Sequence, residues 1–340
     1  MDNKIWLLDL SAGELQAEMR RLGLKEFVAR QIRQWLWLKN QPDIDSWTNL
    51  SRDNRRLIAK HFQTTLPPVI GEQEDGRGTR KFLLQLADGE RIESVSIPEK
   101  DHVTLCLSSQ VGCPLGCLFC ATGQLGLRRN LTSGEILAQV QLMRRRLPEE
   151  KRLNLVFMGM GEPLLNYDHL KRALDTITAE DGLAVSPRHV TVSTAGILGS
   201  LKRLEEDFPN VKIAFSLNAA DAETRRRLMP VSKAERLEDI LAWFRSRRRR
   251  HRVTFEYVMV AGVNDSAADA RKLVRLIHGI PAKVNLIPLN ENPACDLRSP
   301  SPEAVDAFQQ QLQARGLTVV VRWSKGGSIR SACGQLTGQE

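Results

Sequence analysis

The chain has 340 residues, a length that fits one large domain with an appendage or two domains. It carries 49 Lys and Arg against 40 Asp and Glu, and this net charge of +9 favours a polyanionic partner. No apolar run approaches the roughly 18–20 residues that span a bilayer, which excludes a membrane-spanning helix. The first residues show no signal or transit pattern, so we expect a cytoplasmic protein.

Residues 1–65 predict a small helical domain. Ser11 and Glu14 form a capping box before a first amphipathic helix, and two more helices follow over residues 27–36 and 50–62. We expect the tryptophans of this domain to form its core, since a small bundle needs large side chains; they are Trp35, Trp37 and Trp47. We also expect its basic residues to help grip nucleic acid; they are Arg20, Arg21, Lys25, Arg30 and Arg33.

Residues 66–101 predict a linker followed by a β-hairpin. The pair Pro67-Pro68 marks the boundary, and the polar, glycine-rich residues 71–78 predict a flexible connector. The Asp88-Gly89 turn lies between two apolar runs, which is the pattern of a β-hairpin.

Residues 102–322 alternate between short apolar strands and helical segments, which is typical of a parallel sheet wrapped by helices. The predicted strands cover residues 103–108, 154–158, 189–193, 212–217, 253–260 and 283–288. We therefore predict an α/β fold, an open or closed barrel whose ligands gather at the carboxyl ends of the strands.

Three cysteines lie together in the loop after the first of these strands, at positions 113, 117 and 120. Three thiolates can hold three corners of a [4Fe–4S] cluster and leave the fourth iron open to bind a ligand. A structural zinc site is the alternative, but it usually has four closed ligands, and the chain has no second C-x₂-C motif. A disulfide is disfavoured because thiols stay reduced in the cytosol.

Small and hydrogen-bonding residues follow the other predicted strands. They are Gly161, Glu162, Ser193, Ser216, Asn218 and Asn290. Each is an ordinary turn residue when taken alone, but their shared position beside the cysteine loop favours a binding site. A carboxylate such as that of Glu162 can pair with an ammonium group.

Four segments then carry a resemblance to a known enzyme family. They are Ser108–Gly123, Asn130–Ile136, Gly159–Asn166 and Ala332–Leu336. Over nearly its whole length the chain resembles the RlmN/Cfr family of radical S-adenosylmethionine RNA adenosine methyltransferases. The resemblance implies a partial (β/α)6 radical-SAM barrel over residues 102–322, and a C-terminal tail, residues 323–340, that carries a methyl-accepting cysteine.

The resemblance also implies the cofactors and their ligands. One [4Fe–4S] cluster would be held by Cys113, Cys117 and Cys120, and two molecules of S-adenosyl-L-methionine would be used per turnover. The motif around Gly161 and Glu162 would hold the methionine amine. The rest of that molecule would contact Ser193, Ser216, Asn218 and Asn290. Many relatives have histidine in place of Asn218.

The family's catalytic roles map onto three further residues. Cys333 matches the methyl-carrying cysteine, Cys106 the resolving thiol that forms a transient disulfide with it, and Glu93 the proton acceptor. Taken alone, a single cysteine is more often a small buried apolar residue, and a glutamate on a strand is usually solvated. Cys295 matches no role.

The implied reaction adds a methyl group to C2 of adenosine in 23S rRNA and in tRNA, with an external electron donor of the flavodoxin type. The chain would act as a monomer with no membrane partner. Basic runs favour a phosphate-binding surface; they are Arg128-Arg129, Arg144–Arg146, Arg225–Arg227 and Arg247–Arg250.

Three alternatives remain open. One is a Cfr-type enzyme that methylates C8 of adenosine in 23S rRNA. Another is a radical methylthiotransferase acting on tRNA, which normally needs a second set of three cluster cysteines. A third is a non-catalytic, zinc-stabilised RNA-binding protein.

Overall fold

A computed structural model describes residues 4–147, 151–230, 235–247, 251–292 and 295–339. The strands in chain order are β1 (Ile5–Trp6), β2 (Phe62–Gln63), β3 (Val69–Glu74), β4 (Arg80–Gln85), β5 (Arg91–Pro98), β6 (His102–Cys106), β7 (Gln110–Gly112), β8 (Leu127–Asn130), β9 (Arg152–Phe157), β10 (Val190–Thr194), β11 (Lys212–Ser216), β12 (Val253–Met259), β13 (Ala282–Pro288) and β14 (Val319–Val321). The α-helices are α1 (Ala12–Arg21), α2 (Phe27–Arg33), α3 (Arg52–His61), α4 (Ala121–Gln124), α5 (Ser133–Arg144), α6 (Tyr167–Thr178), α7 (Leu198–Asp207), α8 (Ala222–Leu228), α9 (Leu237–Ser246), α10 (Ala267–Leu276) and α11 (Pro302–Gln313).

One large sheet organises the molecule. Its strand order is β14-β13-β12-β11-β10-β9-β6-β5-β4-β3, with β14 and β3 at its two edges. The run from β6 to β14 is parallel, whereas β3, β4 and β5 join it antiparallel. The predicted α/β fold with a parallel, partial barrel is therefore confirmed, and each predicted barrel strand lies within two residues of its expected place.

Alternating residues of β12 show how the two faces of this sheet differ. Phe255 and Tyr257 point to the helical layer, where Phe255 packs edge-on to Phe244 of α9 and Tyr257 stacks on Phe308 of α11. Because successive side chains of a strand point to opposite faces, Glu256 lies on the inner face. The outer face is therefore an apolar core under helices, and polar residues are left for the interior of the barrel.

The amino-terminal helices pack as predicted. The capping box of Ser11 and Glu14 is formed, and Trp37 and Trp47 are fully buried, so the expected tryptophan core is confirmed. Arg33 was expected to grip nucleic acid, and this was wrong. Its side chain is 4% exposed and forms a two-pronged ion pair with Asp181 of the barrel, so it fastens the helical unit to the sheet.

The expected flexible connector at residues 71–78 was also wrong. Residues Val69–Glu74 form the edge strand β3, which pairs antiparallel with β4. Sequence alone missed it because its residues are polar and it has one exposed edge. The hairpin itself is confirmed: β4 and β5 are joined by a turn in which Gly89 has φ +86°.

The β7–β8 hairpin and the short helices α4 and α8, which lie near the carboxyl ends of the strands, were not predicted, and neither was the edge strand β14. In the part of the chain that the structure describes, no helix is both long and apolar enough to cross a bilayer. The boundaries at residues 65, 101 and 322 stay predictions.

Candidate active site

The cysteine loop is held by the β7–β8 hairpin at the carboxyl ends of the barrel strands. Gln110 pairs with Asn130 across the hairpin, and the Cys113 amide donates to the Gly126 carbonyl at 2.9 Å. The loop packs on apolar residues that directly follow the strands; these are Ala195, Val260 and Leu289. The loop therefore sits where a parallel sheet places its ligands.

Cys113 and Cys117 are buried and Cys120 is half-buried. Burial raises the pKa of all three thiols. At Cys117 the neighbouring Cys113, Cys120 and Glu162 raise the pKa further. Such a desolvated set of thiols is well suited to a metal, because coordination replaces the proton on each sulfur.

The set of donors in the loop is all-thiol, which is the ligand type that [4Fe–4S] clusters commonly use. Among the described residues, no group of three or more His, Cys, Asp or Glu side chains is arranged to hold a single metal ion.

Glu162 lies beside this loop and is 2% exposed. Its two carboxylate oxygens accept hydrogen bonds from the amides of Leu164 (3.0 Å) and Ala195 (2.8 Å). Burial raises the pKa of Glu162 to about 7. The carboxylate is thus held at a fixed orientation at the ends of two strands, with lone pairs left over for a cationic ligand.

Gly161 packs closely between the strand ends. It has φ +101°, and a Cβ there would lie 2.6 Å from the Cβ of Gln110. Gln110 in turn accepts from the Glu162 amide at 2.8 Å. Asn166 donates to the carbonyls of Ser109 and Leu131, both at 2.8 Å. The side chains of Gln110 and Asn166 thus join the β7–β8 hairpin and its cysteine loop to residues 161–166. Their place in the quoted motifs was the only sequence signal for them.

Ser193 and Ser216 lie half-buried at the carboxyl ends of β10 and β11. Asn218 is different, because its side chain is engaged within the protein. Its Oδ1 accepts from the Val258 amide at 2.9 Å, and its Nδ2 contacts the Met229 sulfur. Its backbone has φ +56°, which asparagine tolerates better than most residues.

Asn290 contacts the tail. Its Nδ2 donates to the Cys333 carbonyl at 2.9 Å, and its Oδ1 accepts from the Ser324 hydroxyl. The same side chain that was expected to contact S-adenosylmethionine therefore holds the backbone of the expected methyl carrier.

Cys333 and Cys106 are brought together although 227 positions separate them (333 − 106). Burial raises the pKa of Cys106 to about 12, and the Cys333 thiol adds to this shift, so the two sulfurs lie within electrostatic range. Cys333 is accessible to solvent, but the surrounding protein still raises its pKa to about 11, with Glu256 contributing. Cys295 is half-exposed.

Glu93 is buried, so the expectation that a strand glutamate is solvated was wrong. It is 1% exposed, and its Oε1 lies 2.9 Å from the Lys81 ammonium on β4. Its Oε2 accepts from the amides of Thr337 (2.6 Å) and Gly338 (2.9 Å) in the tail. Glu93 therefore binds the segment that carries Cys333.

Further hydrogen bonds fasten the tail to the cysteine loop. The Ala121 amide donates to the Gly334 carbonyl at 2.7 Å, and the Thr122 hydroxyl donates to the Leu336 carbonyl at 2.6 Å. The tail thus lies between the loop and the β4–β5 hairpin.

The basic runs are only partly free surface. Arg129 bonds Glu135 and Asp88, Arg144 donates to the Trp37 carbonyl, and Arg225 is 1% exposed. The buried position of Arg225 excludes it from a phosphate-binding surface, whereas Arg129 and Arg144 are half-buried, and a phosphate-binding surface on at least one run stays a prediction. Residues 248–250 of the last run lie outside the described residues, whereas Arg145, Arg226 and Arg227 are exposed.

Two family models match the sequence. Residues 107–274 match the radical SAM superfamily, and residues 5–63 match the N-terminal domain of ribosomal RNA large subunit methyltransferases. Together they cover the helical unit and most of the barrel.

Individual relatives span the whole chain. A dual-specificity RNA methyltransferase RlmN of Anaeromyxobacter sp. (strain Fw109-5) is 47% identical over 98% of this chain and 90% of its own length. The RlmN of Solidesulfovibrio magneticus is 46% identical over 97% and 95%. The crystal structure of a radical SAM methyltransferase from Sphaerobacter thermophilus superposes with a TM-score of 0.95 at 40% identity, covering 98% of this chain and 100% of the other.

Proposed function

Because this chain belongs to the RlmN family of radical SAM RNA methyltransferases, we propose that it methylates C2 of adenosine in 23S rRNA and in tRNA. The observation that carries the proposal is a tail that brings Cys333 within electrostatic range of Cys106 at the end of β6, beside a loop of three further thiols. A plain RNA-binding protein needs no such arrangement.

Cys113, Cys117 and Cys120 would hold the [4Fe–4S] cluster, and Glu162 would bind the amine of S-adenosylmethionine. Ser193, Ser216, Asn218 and Asn290 would lie around the rest of that molecule. When bound, the cluster and S-adenosylmethionine supply a methyl group and a carbon radical that abstracts hydrogen. Two molecules of S-adenosylmethionine are consumed per turnover in this proposal, and an external donor provides the electron.

In the proposed sequence Cys333 loses its proton and, as thiolate, would take the methyl group by displacement, since thiolate is the competent sulfur nucleophile. Loss of one hydrogen atom from that methyl would leave a carbon radical on sulfur that adds to the adenine carbon, and the adduct would then give up one electron, returned to the cluster, and the ring proton. The Cys106 thiolate would then attack the Cys333 sulfur to form a disulfide, and the sulfur–carbon bond would break with its electron pair on carbon, which takes up a proton to give the methyl group. The disulfide holds two electrons fewer than the two thiols, and external reductant restores them.

Glu93 would accept the proton that leaves the adenine ring. Both of its oxygens are engaged, one by Lys81 and one by tail amides. A carboxylate in this arrangement gains a free lone pair when the tail moves, which couples proton transfer to the position of Cys333.

We propose a four-part organisation for the chain. Residues 1–65 would be an RNA-binding accessory domain, residues 66–101 a hairpin extension, residues 102–322 the catalytic barrel and residues 323–340 the tail. Exposed Arg20, Arg30, Arg145 and Arg226 are candidates for phosphate contacts, and binding should weaken steeply with salt. A cytoplasmic, monomeric enzyme is part of this proposal.

Nucleoside analysis tests the product. RNA treated with the reconstituted enzyme is digested and compared with 2-methyladenosine and 8-methyladenosine standards. We expect 2-methyladenosine in 23S rRNA and tRNA. The 8-methyl product would reassign the enzyme to C8 methylation, and no methylated adenosine would overturn the proposal.

The variant Cys106→Ala tests the cysteine roles. Without a resolving thiol, the protein should carry RNA covalently attached at Cys333, visible as nuclease-sensitive mass on a denaturing gel. Cys295→Ala is the matched control and should carry none. Absence of attached RNA in Cys106→Ala would remove Cys106 from the reaction.

A further inference from the structure

Arg225 on α8 is a buried cation that the proposed reaction leaves without a role. It is 1% exposed, although its neighbours Arg226 and Arg227 on the same helix are exposed. Its guanidinium lies against the ring of Phe215, with 5.3 Å between the guanidinium carbon and the ring centre. An arginine is rarely buried so fully unless a partner of opposite charge accompanies it.

The hydrogen bonds of Arg225 go to neutral carbonyl groups at the strand ends. It donates to the carbonyls of Ala195 (2.7 Å), Ser216 (3.2 Å) and Leu217 (3.2 Å). Within the described residues, its buried Nη1 has no hydrogen-bond partner. These contacts orient the guanidinium but leave its charge uncompensated, which is costly in a desolvated place.

The helix that carries Arg225 packs directly on the cysteine loop. Cys117 shares one buried apolar cluster with Leu228 of α8 and with Ala195, whose carbonyl accepts from Arg225. A backbone hydrogen bond ties the two elements together, because the Leu118 amide donates to the Leu228 carbonyl of α8 at 3.0 Å. The guanidinium is therefore held against the part of the loop that carries Cys117.

We propose that Arg225 is the counter-ion of the cluster corner at Cys117, where its free Nη1 donates to a ligand sulfur or a cluster sulfide. The inference rests on the cluster assignment made above. A thiolate-ligated cluster is negatively charged and gains another negative charge on reduction, so a fixed buried cation favours the reduced state. Arg225 would thus make the electron transfer that starts the reaction easier.

The carboxylate of S-adenosylmethionine is a second anion that could approach the same guanidinium. The two possibilities predict changes in different measured quantities. A counter-ion of the cluster changes the midpoint potential without S-adenosylmethionine, whereas a carboxylate ligand changes mainly the affinity for S-adenosylmethionine.

The test compares Arg225→Gln with Arg225→Lys, with Arg226→Gln as the matched control on the exposed face of α8. Each protein is reconstituted without oxygen, its iron is counted, and its cluster is titrated by electron paramagnetic resonance without S-adenosylmethionine. Binding of S-adenosylmethionine is measured separately by calorimetry. Arg225→Gln should keep its iron but show at least a tenfold smaller ratio of reduced to oxidised cluster at a fixed potential, equivalent to about 59 mV for one electron.

Arg225→Lys should keep the wild-type potential because it keeps the charge, and Arg226→Gln should match wild type. A wild-type potential in Arg225→Gln with weakened S-adenosylmethionine binding assigns the guanidinium to the carboxylate and overturns the proposal. Equal losses in the Gln and Lys variants mean a purely structural role and also overturn it.

If Arg225→Gln does not fold, Arg225→Lys carries the test alone, and a tenfold loss of reduced cluster in that variant contradicts the proposal. Wild-type protein that binds no iron would instead refute the cluster assignment, so the two failures are distinguishable.

Discussion

The two cysteine-bearing regions of this protein reach the same site in different ways. The cysteine loop is local: three thiols within eight residues are held by the β7–β8 hairpin and packed on the strand ends. The tail is remote in sequence and is held by polar contacts, such as those of Asn290 and Glu93, and by the buried side chain of Leu336. The loop is thus fixed by its own hairpin, whereas the tail is fixed by contacts with residues far along the chain.

This difference fits the two tasks proposed for them. A cluster needs fixed ligands, since its geometry does not change during turnover. A cysteine that meets a methyl donor, then an RNA base, then a second thiol must change partners. Hydrogen bonds to backbone groups contribute roughly 0.5–1.5 kcal/mol each, which is low enough for the tail to exchange them.

Breaking the loop should have the largest effect. Cys117→Ala removes one of three cluster ligands, so we expect loss of bound iron and no methylated RNA. Cys295 is half-exposed and lies outside the loop, so Cys295→Ala should keep both its iron and its methylation activity. Iron analysis and nucleoside analysis measure the outcome. Retained activity in Cys117→Ala would show that the loop is not a cluster site.

Breaking the contact between Glu93 and the tail should have the next largest effect. Glu93→Gln leaves the Lys81 ammonium buried without a counter-ion and should lower stability by about 3 kcal/mol. It also removes the proposed base, so turnover should fall about 100-fold or more. Urea unfolding and methylation rates measure the two losses. Glu90 lies on the same hairpin and pairs with the exposed Arg128. Glu90→Gln is therefore the control and should change neither the stability nor the turnover by much.

Glu256 on β12 should make the stability of the protein depend on pH. Burial raises the pKa of Glu256 from 4.5 to about 7, so the folded protein binds a proton more tightly than the unfolded chain does. Stability is therefore lost as pH rises from about 4.5 to 7, and Glu256→Gln escapes this loss. Between pH 5 and pH 8, the free energy of unfolding of Glu256→Gln should rise by about 2 kcal/mol relative to that of wild type. Urea unfolding at both pH values checks this; an unchanged difference would contradict it.

The smallest effect should come from a single bond between loop and tail. Thr122→Val removes the hydroxyl that donates to the Leu336 carbonyl and should cost about 1 kcal/mol. The loss should appear as faster hydrogen exchange of tail amides while the loop amides stay protected. Thr178→Val removes a comparable bond within α6 and should leave the tail unchanged. Equal exchange in both variants would mean that the tail is fixed by other contacts.

The sequence predicted the local features of the molecule well. Strand positions in the barrel follow from hydrophobic periodicity, and the capping box of Ser11 marked a helix start that the structure confirms. The cysteine spacing is also a local feature, so it could be interpreted without a structure.

The sequence failed where contacts join distant residues. Burial of Glu93, Arg33 and Arg225 follows from partners far along the chain, and composition alone assigned each to the surface. The strand β3 was missed because its polar residues match a connector. The placement of Cys333 near Cys106 came only from resemblance, since no local pattern links the two positions.

One measurement tests the central claim most directly. Protein reconstituted with iron and sulfide in the absence of oxygen is reduced in the presence of S-adenosylmethionine, and the products are analysed for 5′-deoxyadenosine. We predict a reduced [4Fe–4S] signal and deoxyadenosine, both lost in Cys117→Ala. A wild-type protein that binds a single zinc ion, or that forms a cluster yet never yields deoxyadenosine, would contradict the account.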